Sequence, residues 1–118
     1  MEFLELMTRH KDDNPTSSGY YALAVMMQAK LYGNPFTKLS YFNQGKKILE
    51  ASILKDPQNV ELRFLRFAVQ TEIPSILLYF TEIDEDQSIL DEYLKSNNDA
   101  LCSRIQAYYK LKGLKAET

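Results

Sequence analysis

The sequence predicts an all-α protein of six or seven helices, arranged as antiparallel helix–turn–helix pairs. Three observations carry this. No window of the 118 residues sustains the alternation of β-branched and polar residues that a half-buried strand requires. Apolar residues instead recur three and four apart over 36–55 and 59–72, the spacing of one face of a helix. All four prolines, Pro15, Pro35, Pro57 and Pro74, stand at breaks between such segments.

Taken in order, Phe3, Leu4 and Met7 give Met1–His10 the one-sided spacing of a short helix, which Asp12-Asp13-Asn14-Pro15 breaks. Thr16, Ser17 or Ser18 then offers an N-cap for a helix running to Tyr32, apolar nearly all round and so buried on more than one side. Gly33-Asn34-Pro35 stops it, and Pro35 opens the third helix, where its missing N–H costs nothing. That helix extends to Lys55 and ends at Asp56-Pro57. Asn59 caps a fourth through about Glu72, Pro74 to Phe80 reads as a short fifth, and Thr81 or Asp84 caps the next. Asp84, Glu85 and Asp86 occupy its first turn, where negative charge complements the helix dipole. The last helix, 99–111, sets Leu101, Ile105 and Tyr108 on one side, and Gly113 suits its stop.

A chain of 118 residues with 45% apolar and 25% charged composition fits a single domain, 1–118, burying roughly 65–70% of its unfolded surface. No stretch is apolar enough to span a bilayer. The start has neither a basic nor an apolar signal region, and Cys102 stands alone, so a cytoplasmic location is expected. Net charge is -2, yet it is sorted. Residues 30–66 hold seven bases against three acids, a balance of +4, whereas 67–99 hold one base against eight acids, a balance of -7. Such a dipolar chain suits a steered partner or self-association, unless the two segments neutralise one another internally.

The run LEASILKDPQN resembles the tail of a tetratricopeptide repeat: on that register Gly45 and Ser52 take its small positions and Leu49 its large one. The resemblance implies an irregular, tetratricopeptide-like right-handed array and a protein-binding role. It departs at Gly33, which lies in a helix break, and after Asn59, where Pro74 cuts the second helix short. Residues 29–70 also resemble a family of small bacterial helical proteins with which no biochemical activity is associated. That likeness leaves an exported form open.

Chemistry-bearing residues are sparse. His10 has no evident partner to fix it, and Cys102 reads as a buried, inert thiol. An EF-hand loop begun at Asp84 would place Ile89 where glycine is needed and Lys95 where the bidentate glutamate belongs. The four glycines are isolated, so no phosphate loop forms. These absences point away from an enzyme, a metal site or a cofactor. A pI near 5.4 and the acidic 67–99 segment argue against nucleic acid.

The basic residues carry the sharper expectation. In 36–55, Leu39, Phe42, Leu49 and Ile53 define an inward arc that also contains Lys46. In 59–72, two apolar faces flank a polar strip of Arg63, Arg66 and Gln70. The strip would line a groove for an acidic protein segment or peptide carboxylate, with Tyr32, Tyr41 and Lys46 nearby. The competing expectation is that both arginines pair with the acidic segment. The expected function is a non-enzymatic protein-interaction domain, with a structural, self-assembling protein as the alternative.

Overall fold

The computed structural model describes residues 14–114. Among them are five α-helices and no strand: α1 (Pro15–Gln28), α2 (Pro35–Lys55), α3 (Val60–Glu72), α4 (Ile83–Ser96) and α5 (Ala100–Lys112). Two 3-10 turns, Ala29–Leu31 and Ser75–Leu77, complete the order. The expected helix over 1–10 lies outside the described residues. The expected helix over 74–80 does not form. Pro74 opens only the 3-10 turn, after which Leu78 turns left-handed at φ 56°. That reversal buries Tyr79 and leaves Ile76, Leu78 and Phe80 outside.

Local chemistry explains the boundaries. Asn14, not Thr16–Ser18, caps α1: its side chain accepts from Thr16 N and Ser17 N at 2.8 and 3.2 Å. Pro15 directly behind it has the φ that a first helical residue needs, so the helix starts earlier than the serines suggest. The α-helix ends at Gln28 and tightens into the 3-10 turn before Tyr32. Asn34 caps α2 in the same way, from Phe36 N and Thr37 N. Asn59 caps α3 by accepting from Leu62 N at 3.1 Å. Neither Thr81 nor Asp84 caps α4. It starts at Ile83, Glu82 supplies only its carbonyl, and three first-turn acids meet the dipole instead. Asp99 caps α5 through Cys102 N at 2.9 Å, and Gly113 closes it at φ 71°.

The chain divides between Leu62 and Arg63 into two compact units. No linker marks the division, which falls inside α3. In the first unit α1 packs antiparallel on α2. Asn59, beyond the end of α2, donates to Thr16 at 2.7 Å, the middle of α2 meets Ala22 and Met26, and Tyr32 stacks on Tyr41 near the start of α2. The packing is close enough to demand glycine. A Cβ on Gly45 would lie 2.6 Å from the Ala22 carbonyl and 2.4 Å from Met26 Cγ. Phe42, Gly45, Leu49, Ser52 and Ile53 are buried, so the inward arc is turned toward Gly45 and Ser52, and Leu39 is left exposed.

In the second unit α4 runs antiparallel to α3, since Arg63 meets Asp86 while Gln70 meets Glu82. α5 runs parallel to α3: Arg104 lies over Phe64, Tyr108 meets Thr71, and Lys112 meets Glu72. Phe67 sits edge-on to Tyr108 and tilted against Tyr109. Leu90, Cys102 and Ile105 are buried with them.

Candidate functional site

Arg63, Arg66 and Gln70 recur every third or fourth residue, so one face of α3 carries all three. The structure brings them together as expected, but not at an open edge. All three are buried, and the first turn of α4 lies on them. Arg66 grips Asp86 with two nitrogens, Nε at 2.7 Å and Nη2 at 2.9 Å. Arg63 Nη1 donates to Asp86 Oδ1 at 3.1 Å and to Glu85 Oε2 at 2.5 Å. Asp86 is wholly removed from solvent. Two guanidinium groups supply the hydrogen bonds that a carboxyl group in that position loses from water. An acidic peptide seeking these arginines would have to displace Asp86, which is the arrangement the ion-pair expectation describes.

Gln70 Nε2 donates to Glu82 Oε1 at 2.7 Å, and Gln70 Oε1 is left buried without a hydrogen bond. Burial tends to raise the Glu82 pKa, but hydrogen bonds from Gln70 and Thr81 and the charge of Arg66 bring it below the usual value. A second polar cluster ties α3 to α5. Tyr108 Oη lies 2.5 Å from Thr71 Oγ1 and donates to Glu72 at 3.0 Å, and Lys112 reaches Glu72 at 2.8 Å. The Lys112 hydrogen bond, helped by Tyr108, lowers the Glu72 pKa. Both clusters pair opposite charges between helices and so tie α3 to α4 and to α5.

Tyr32 and Tyr41, in the first unit, form a separate pair. Their rings stack at 5.2 Å and 13°, with the hydroxyls 3.3 Å apart. The hydrogen bond to Tyr32 raises the Tyr41 pKa. Lys46 is half-buried on α2. Cys102 is buried on α5, and His10 lies outside the described residues. Among the described residues, no group of three His, Cys, Asp or Glu side chains could hold a metal. None of the described helices is long and apolar enough to cross a membrane.

Comparison with protein-family models, curated proteins and solved structures finds no match.

The surface that sequence reasoning missed surrounds the connector between α1 and α2. Met27, Leu31, Phe36 and Leu39 are exposed there, Leu31 by 65% and Phe36 by 82%, beside the Tyr32–Tyr41 stack. Met27 and Leu31 stand four residues apart, and Phe36 and Leu39 three, so each pair shares a side of the hairpin end. Lys30 and Lys38 are exposed among them, and residues 14–49 contain no acid at all. A signal existed in the sequence. The apolar run continues through the Gly33-Asn34-Pro35 break, where loops are ordinarily polar.

Proposed function

We propose that this protein is a non-enzymatic interaction domain, tetratricopeptide-like in its helical pairing, that binds a protein segment at the α1–α2 connector. The observation that carries the proposal is the concentration of exposed large apolar side chains there, with the exposed Lys30 and Lys38 beside them in the chain. Scattered exposed apolar residues are ordinary, but several gathered at one end of a hairpin mark a binding surface. Aromatic and long aliphatic side chains supply the affinity, while Lys30 and Lys38 favour an acidic rim on the partner. The antiparallel α1–α2 and α3–α4 pairs, with α5 parallel to α3, support the tetratricopeptide-like part of the reading.

Affinity capture with identification of the bound protein tests it. Leu31→Ser/Phe36→Ser should lose a specific partner and retain wild-type circular dichroism and melting temperature. Arg63→Glu/Arg66→Glu should instead unfold, because it sets new buried carboxylates against Asp86. A partner retained by the connector variant, or lost only by a folded arginine variant, would return the site to the α3 strip.

A further inference from the structure

A second apolar projection stands in the second unit. Ile76, Leu78 and Phe80 are exposed within five residues, Ile76 by 83% and Leu78 by 73%. Leu78 holds a left-handed backbone that a leucine seldom adopts. The sequence flanking this loop is acidic, whereas that flanking the connector is basic. No lysine or arginine occurs from 67 to 94, and Glu72, Asp84 and Glu85 are exposed on either side of the loop. The chain therefore displays one apolar projection beside the exposed Lys30 and Lys38 and another flanked by Glu72, Asp84 and Glu85, of which Glu72 also pairs with Lys112 and Glu85 with Arg63.

We infer that the segment bound at the α1–α2 connector is the 73–80 loop of a second copy of this chain. The inference rests on the interaction reading above and names its partner. Apolar contact between Ile76, Leu78 and Phe80 of one copy and Leu31, Phe36 and Met27 of the next would bury both projections. Lys30 and Lys38 would then face Asp84 and the acids that flank the loop, so opposite charges steer the encounter and like surfaces repel. Each copy offers both surfaces, so the contact can close reciprocally in a two-fold dimer or be heterologous. A heterologous contact propagates from copy to copy unless the rotation closes a ring.

Sedimentation velocity on the full chain, over a wide concentration range, tests this. The mass of the wild type should rise with concentration, and the association should weaken as salt is raised from about 0.05 to about 0.5 M. Leu31→Ser/Phe36→Ser and Ile76→Ser/Leu78→Asn should each be monomeric alone, with affinity reduced more than about 30-fold. Asparagine is chosen at 78 because it tolerates the left-handed backbone. Mixed together, the two variants should form a 1:1 dimer and nothing larger, since each retains one intact surface. A dimer formed by the 76/78 variant alone would overturn the inference in favour of a connector-to-connector contact. A wild type monomeric throughout would overturn it as well. The interaction reading would then stand only if an identified foreign protein binds the wild type and is lost in the 31/36 variant, and would fall if none does.

Discussion

At the scale of single residues, stability is concentrated where a group has no substitute. Asp86 is the clearest case, because two buried arginines depend on it. Asp86→Ala takes from Arg66 its two-pronged partner and leaves Arg63 its contact with the exposed Glu85, and should cost about 3–5 kcal/mol, read as a lower urea midpoint. Glu85 contacts the same Arg63 but stands 60% exposed. Glu85→Gln should cost no more than about 1 kcal/mol in the same assay, since exposed pairs are screened. Gly45 is irreplaceable for a steric reason. A methyl there meets the Ala22 carbonyl, which is backbone and cannot swing aside. Gly45→Ala should therefore destabilise by about 1–3 kcal/mol, despite the better helix propensity of alanine.

At the scale of elements, the helix ends are set by short polar side chains acting on their own neighbourhood. Asn34→Ala should cost about 1 kcal/mol of stability and Asn34→Gly only a few tenths, because glycine also suits a cap. Denaturant titration of both variants checks the contrast. The α4–α5 joint is held by Tyr93 and Asp99. Their hydrogen bond pushes the Tyr93 pKa up to about 12 and lowers that of Asp99. In Tyr93→Phe, the Asp99 carboxyl should titrate closer to its ordinary value, near 3.8, as followed by NMR. In the wild type, Tyr93 should be among the late-ionising tyrosines when absorbance is followed to high pH, with Tyr41 and Tyr108 also raised. The left-handed Leu78 belongs to this scale too. Nothing in Pro74–Phe80 announces that the turn stops after three residues.

For the whole molecule, the shifted ionisations bound a pH window. Glu72, Glu82 and Asp99 have lowered pKa values in the fold. Their contribution is present above the unfolded values and is lost as pH falls through the folded ones. Tyr93, Tyr108 and Lys112 have raised values. Their contribution is present below the unfolded values near 10.0 and 10.5 and is lost as pH rises through the folded ones. Melting temperature should thus be flat from about pH 5 to about pH 9.5 and fall on both sides. A maximum confined to acid pH would contradict the assigned pairs.

The helical class and the position of most helix ends are legible in the sequence alone. Asn14-Pro15, Asn34-Pro35, Asp56-Pro57, Asn59 and Gly113 act through local sterics and hydrogen bonds, so they are readable without a neighbour. The charge sorting is legible by inspection of the sequence, whereas the need for glycine at 45 is set by Ala22 and Met26 on the facing helix. Tertiary structure alone decided which faces are covered. The Arg63–Arg66–Gln70 strip is visible in the sequence, but whether it faces solvent or Asp86 depends on where α4 lies. The exposure of Leu31, Phe36, Ile76 and Leu78 is equally unreadable, because an apolar side chain carries no mark of whether a packing partner exists. Burial is a property of pairs of elements, and only the fold assigns the pairs.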